Sequence, residues 1–141
     1  MKPKISMYWA ASCGGCEISL VNIHEKILDL EAHFDLVFCP CLLDTKKKDL
    51  EAMPDGSIAL TFFNGAIRTS ENEEMAHLMR RKSETLIAFG SCSSEGCIPG
   101  LSNLSTADAH MRTIYLDSPS LDNPSGALPQ TETPAKERIM K

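Results

Sequence analysis

Apolar residues fall in short runs along the chain, with polar punctuation between them, and their spacing predicts alternating strands and helices. Lys4 to Ala10 (KISMYWA) is apolar-rich and bounded by Pro3 and by Ser12-Cys13-Gly14-Gly15, so it reads as a buried strand. From Glu17 to about Ala32, Ile18, Leu20, Val21, Ile27, Leu28 and Leu30 recur at mostly helical spacing. Glu25, Lys26, Asp29 and Glu31 lie between them, which predicts one amphipathic helix. Asp35 to Cys39 (DLVFC) reads as a second strand stopped by Pro40. Leu42 to Met53 is a polar, lysine-rich connection, partly helical, and Pro54-Asp55-Gly56 is a turn. Ser57 to Asn64 (SIALTFFN) reads as a third strand, closed by Asn64-Gly65. Ser70 with Glu73 three residues on has the form of a capping box, opening a helix to about Lys82. Thr85 to Phe89 (TLIAF) is a fourth strand, ending at Gly90-Ser91-Cys92, and Thr106 to about Tyr115 reads as a short helix.

The strands are nearly continuous apolar runs, as expected where both faces of a sheet are covered. Strand, helix, strand, connection, strand, helix, strand in that order predicts an α/β fold: an open parallel sheet, flavodoxin-like in outline, with right-handed crossovers. Residues 1–116 are expected to form the domain. Residues 117–141, punctuated by Pro119, Pro124, Pro129 and Pro134, are expected to be an irregular, extended tail, packed on a partner or truncated.

Composition narrows the class. With 141 residues, 43% apolar and 23% charged, the chain is long enough for one domain with a real core. A net charge of −5 argues against a nucleic-acid partner, and Lys46-Lys47-Lys48 reads as a solvated turn. No run reaches the ~18 apolar residues of a membrane span. The start of the chain lacks the apolar region and cleavage site of a secretory signal, so the cytoplasm is the expected location.

The six cysteines are Cys13, Cys16, Cys39, Cys41, Cys92 and Cys97. Tight pairs in a cytoplasmic chain point to metal or redox work rather than a disulfide framework. Parallel α/β folds place their sites at the carboxyl ends of strands. There the first strand carries Ser12-Cys13-Gly14-Gly15-Cys16, and the fourth carries Gly90-Ser91-Cys92 through Gly96-Cys97-Ile98-Pro99-Gly100. If those two strands are neighbours, both cysteine loops face one crevice. Two residues between Cys13 and Cys16 let both thiolates reach one metal or two corners of a cubane. The same strand–CGGC–helix pattern serves a thioredoxin-type dithiol enzyme using Cys13 and Cys16, and a structural zinc site is a third reading. Cys39 and Cys41 read as small buried hydrophobes, the histidines as surface or core, and Met75 and Met79 as core. Glu17 follows Cys16 at a helix start. It reads either as an acidic first turn or as a carboxylate poised beside a redox centre to relay protons.

The elements S-C-G-G-C-E (12–17) and G-S-C-S-S-E-G-C-I-P-G (90–100), on this strand pattern, resemble the small subunit of nickel–iron hydrogenases. The likeness is greatest to the cytosolic methyl-viologen-reducing (F420-non-reducing) type associated with heterodisulfide reductase. F-N-G-A-I-R-T-S-E-N-E-E (63–74) and S-P-S-L-D-N-P (118–124) are similar to that group too. The related small subunit of respiratory complex I has adjacent cysteines in the first motif, so the C-G-G-C spacing favours the hydrogenase branch. The resemblance implies that Cys13, Cys16 and Cys92 ligate a proximal [4Fe–4S] cluster. It implies that Glu17 lies on a proton path at the interface with a nickel–iron large subunit. Electrons would leave to an iron–sulfur or flavin partner. The family's fourth ligand is a cysteine in a downstream Gly-Cys-Pro segment that this sequence does not contain, so either the sequence is a fragment or the fourth ligand comes from Cys97 or another source. In the family the second motif ends Gly-Gly-x-Pro, and Cys97 stands where the second glycine would be. A relay that serves other redox subunits, without a nickel partner, is the alternative.

Overall fold

The structure is a computed structural model that describes residues 2–130. It divides into two compact units, Met1–Leu101 and Ser102–Lys141. The first unit holds the sheet, with β1 (Lys4–Trp9), β2 (Asp35–Phe38), β3 (Ile58–Asn64) and β4 (Ser83–Phe89). All pairings are parallel, in the order β2-β1-β3-β4. This is the α/β, flavodoxin-like arrangement expected from the sequence.

The condition set for the two cysteine loops is not met: the first and fourth strands are not neighbours, because β3 lies between them. The chain steps from β1 outward to β2, then crosses back over β1 to lay down β3 and β4 on the other side. The strand order therefore reverses between β1 and β3, and that is where open α/β sheets leave a crevice.

The single helix expected from Glu17 to Ala32 is two helices, α1 (Gly15–Val21) and α2 (Lys26–His33). The Asn22 N–H closes α1 on the Ile18 carbonyl at 2.8 Å, and His24 takes a left-handed φ of 54°. Tight i→i+3 bonds follow, with Lys26 N–H on Ile23 and Ile27 N–H on His24. Histidine tolerates a positive φ better than most residues. Nor does deep packing force continuity, since Ile18 and Leu28 are 58% and 64% exposed.

The connection after β2 contains α3 (Lys47–Glu51), and α4 spans Ser70–Lys82. The cap of α4 sits one residue earlier than the sequence pattern suggests. Thr69, extended at φ −120° and ψ 160°, accepts the Asn72 N–H at 3.2 Å, and the Asn72 carboxamide oxygen accepts the Thr69 N–H at 3.3 Å. Ser70 is already inside the helix, so the Ser70–Glu73 pair does not form the box.

α3 and α4 cover one face of the sheet. Leu50, Met75, Leu78 and Met79 pack there against Phe38, Ile58 and Phe63, and the Tyr8 and Phe63 rings meet at 5.3 Å. Met75 and Met79 are core residues, as the spacing predicts. Cover on both faces does not extend along β4, where Glu84, Thr85, Ile87 and Ala88 are all exposed. β4 is the edge of the described sheet, and only β3 pairs with it.

After β4 come two short helices, α5 (Ser91–Ser94) and α6 (Cys97–Gly100). The second unit contains α7 (Ala107–Tyr115), capped by the Thr106 hydroxyl, which accepts the Ala109 N–H at 3.2 Å. Beyond α7 the described chain is irregular. The Asn123 carboxamide ties it down by donating to the Tyr115 and Ala127 carbonyls at 2.8 and 2.9 Å. The remainder of the expected tail, residues 131–141, lies outside the described residues.

A row of buried hydroxyls crosses the sheet. Thr61 on β3 meets Ser6 on β1 and Ser83 on β4, each at 2.5 Å, and all three side chains are excluded from solvent. Removing the central hydroxyl leaves two buried groups without partners. Thr61→Val, nearly the same in shape, is therefore expected to cost about 1–3 kcal/mol by urea unfolding. The triple change Ser6→Ala, Thr61→Val, Ser83→Ala should recover part of that loss.

Candidate functional site

Four cysteines gather at the carboxyl edge of the sheet. Cys13 lies in the exposed loop after β1, and Cys16 is half-buried in the first turn of α1. Cys92 is half-buried on α5, and exposed Cys97 opens α6. β3 separates the two parent strands, yet the thiols still interact. Burial, then the Cys97 and Cys13 charges and, last, Cys16, push the Cys92 thiol up from its ordinary value. Burial, Glu17 and Cys13 do the same to Cys16. The loops reach one another across the end of β3 because glycine lines the approach. At Gly90 (φ 83°) a Cβ would collide with the Cys16 sulfur.

Cys97 differs from its neighbours. The Ser91 hydroxyl and the Ile98 N–H donate to its sulfur and hold its pKa below the ordinary thiol value. Its backbone sits at φ 41°, a left-handed conformation that favours glycine. That agrees with the family pattern, in which glycine stands at this position. The strain is of the order of 1–2 kcal/mol.

Glu17 is inside the site rather than on a solvated first turn. It is 4% exposed, and the Asn64 carboxamide donates to its Oε1. Asn64 also donates to the Ser12 hydroxyl at 3.3 Å, and that hydroxyl accepts the Gly14 N–H at 3.2 Å. Glu17 Oε2 is buried without a hydrogen-bond partner. Sequence reasoning missed Asn64 and Ser12 as site residues. A polar residue ending an otherwise apolar strand at the reversal of strand order was the available signal for Asn64.

Four cysteine thiols are the donor chemistry of an iron–sulfur cluster. Among the described residues, no three Cys, His, Asp or Glu side chains are gathered as the ligands of a single ion. A cubane is larger than one ion and holds its ligand sulfurs farther apart, so four interacting thiols around a glycine-lined crevice fit its donor chemistry. Cys39 and Cys41 stand apart from this set and contact each other, with sulfurs 3.2 Å apart. His24, His33 and His77 are exposed.

Fold and site together define an open parallel α/β domain with four cysteine thiols gathered at the carboxyl ends of its strands. The chain belongs to the family of the NADH ubiquinone oxidoreductase 20 Kd subunit, whose sequence model matches residues 13–132. It is 40% identical over 131 residues to the iron-sulfur subunit of the F420-non-reducing hydrogenase of Archaeoglobus profundus, covering 92% of this chain and 41% of that protein. It is 34% identical over 140 residues to the corresponding F420-non-reducing hydrogenase subunit of Methanothermobacter thermautotrophicus, covering 99% of this chain and 44% of that protein. The chain thus spans less than half the length of these curated relatives. A chain in the crystal structure of an NAD+-reducing [NiFe]-hydrogenase in the H2-reduced state shares the fold. Its TM-score is 0.77 at 24% identity, covering 92% of this chain and 68% of that one. The resemblance to hydrogenase small subunits read from the cysteine motifs is therefore matched by the relatives. Among the described residues no helix is long and apolar enough to cross a membrane.

The opposed shifts at the site are testable in iron-free protein. The thiolate is the form that reacts, so a lowered pKa brings reactivity on at lower pH. Iodoacetamide labelling across a pH series should modify Cys97 at lower pH than Cys16 or Cys92, as read by peptide mass spectrometry. Labelling of Cys97 last would remove the Ser91 and Ile98 donors from the account.

Proposed function

We propose that this chain is the electron-transfer component of a cytoplasmic nickel–iron hydrogenase complex. It would hold a proximal [4Fe–4S] cluster through Cys13, Cys16 and Cys92, with Cys97 as candidate fourth ligand. The observation that carries the reading is that these four thiols interact with one another, with the buried Glu17 carboxylate beside Cys16. The relatives' names support the hydrogenase assignment. Held there, a cluster would supply one-electron transfer between a nickel–iron large subunit and an iron–sulfur or flavin acceptor, with heterodisulfide reductase as the downstream partner class.

The chain's own residues supply the setting. Gly90 keeps a Cβ away from the Cys16 sulfur, so the backbone of the second cysteine loop lies close against the first. The Ser91 hydroxyl and Ile98 N–H stabilise negative charge on the Cys97 sulfur. Asn64 fixes one oxygen of Glu17 and the other is buried without a partner, an arrangement that would suit the carboxylate to a proton path. The dithiol-enzyme reading is less well supported. A dithiol enzyme using Cys13 and Cys16 has no use for Cys92 and Cys97, yet Cys92 interacts with both cysteines of that pair.

Anaerobically isolated protein is expected to be brown, with iron, sulfide and a reduced-state EPR signal of a cubane. Cys13→Ser or Cys92→Ser should abolish these signatures, and Cys39→Ser should leave them largely intact. Equal loss in all three would overturn the ligand assignment, and a colourless protein isolated with its native partners would favour the dithiol enzyme. In the assembled complex, Glu17→Gln should retain the cluster but slow hydrogen turnover by about 10²-fold. Unchanged turnover would remove Glu17 from the proton path.

A further inference from the structure

The sequence Cys39-Pro40-Cys41 does more than end β2. Cys39 is completely buried, Cys41 is exposed, and their sulfurs are 3.2 Å apart. The Leu42 and Leu43 N–H groups both donate to the Cys39 carbonyl, at 2.9 and 2.8 Å, which closes the turn and folds Cys41 back over Cys39. Proline between them fixes the first turn torsion. Two thiols held this close in one short turn are arranged for a disulfide, which needs the sulfurs to approach to about 2.05 Å. Neither cysteine is used by the cluster site.

We propose that Cys39 and Cys41 form a thiol–disulfide exchange site that is oxidised by small-molecule disulfides and reduced by small dithiols. The division of labour follows from exposure. The Cys41 thiolate attacks one sulfur of the small disulfide, forms a mixed disulfide and releases the first small thiolate. Cys39 then loses its proton and attacks the Cys41 sulfur. The Cys39–Cys41 bond forms, the Cys41-to-ligand bond breaks and the second small thiolate leaves. Two electrons pass from the protein dithiol to the small disulfide, and the two thiol protons go to the two released thiolates. Burial pushes the Cys39 thiol up to about 12, with the neighbouring Cys41 adding to the shift. The second contribution disappears once Cys41 carries the mixed disulfide, so Cys39 is the resolving rather than the attacking thiol.

Cys41 is exposed, so a small reagent reaches its sulfur directly from solvent. A cleft of about 380 Å³ beside the turn is lined by Pro40, Leu43, Tyr8 and Trp9 and does not include Cys41. A bridge spanning three residues closes too small a loop to act as a staple against unfolding, so its chemistry is exchange rather than stabilisation. The site also lies at the carboxyl end of β2, the same edge of the sheet as the four other cysteines.

The test uses the full chain, kept anaerobic and treated with glutathione disulfide. Free thiols are then alkylated with iodoacetamide and the tryptic peptide 27–46 is weighed. The expected peptide is unalkylated and lighter by two hydrogens, and dithiothreitol returns it to the doubly alkylated form. In Cys39→Ser the glutathione mixed disulfide should persist on Cys41. In Cys41→Ser, buried Cys39 should take up no glutathione. Two free thiols after excess oxidant, a persistent mixed disulfide in the unaltered chain, or a bridge to any other cysteine would each overturn the proposal. The readout does not depend on bound iron, so it stands or falls separately from the cluster assignment.

Discussion

The main-chain ladder between β1 and β3 does not end where the strands end. The Ala10 N–H still bonds the Asn64 carbonyl at 2.8 Å, and Ala11 and Ala66 exchange N–H···O bonds at 3.1 and 2.9 Å. These three bonds clamp the loop that carries Cys13 and Cys16 onto the loop that follows β3. Gly65 makes the clamp possible. A Cβ there would lie 2.8 Å from the Ala10 carbonyl carbon, and the residue takes φ 95°. The clamp also sets Asn64 beside Glu17 and so fixes where the carboxylate points. Cysteine placement, carboxylate orientation and the closing of the crevice all follow from that extension of one strand pair.

The sequence pattern carried the strands well because they are short apolar runs ended by glycine, proline or asparagine, and each ending has a local cause. The α7 cap was readable for the same reason, since Thr106 acts on a backbone N–H three residues away. Strand order was not readable. It depends on which side of β1 the returning chain takes, and no local residue encodes that choice. The helix break at Asn22–Glu25 escaped notice because the apolar periodicity continues through it, although the buried stripe that would enforce one rod is absent.

The site shows the same division. The cysteines announced themselves by spacing, and so did the glycines that let the loops approach. Asn64 did not, since a polar residue at a strand end looks like a turn former until the fold shows it buried against Glu17. Cys39 and Cys41 were read as small hydrophobes. That suits Cys39, which is buried, and misses Cys41, which is not. Their contact is a product of the turn, in which two carbonyl-directed N–H bonds outweigh the chain's tendency to continue straight.

The open margin of the sheet has a consequence for how the protein behaves in concentrated solution. Only one side of β4 is paired in the described sheet, and between Glu84 and Phe89 it carries neither lysine nor proline to blunt its free side. The backbone amides and carbonyls on that side are a template for another strand, of the kind that natural sheets cover or charge. That unpaired side therefore favours strand-to-strand association even in a chain of net charge −5.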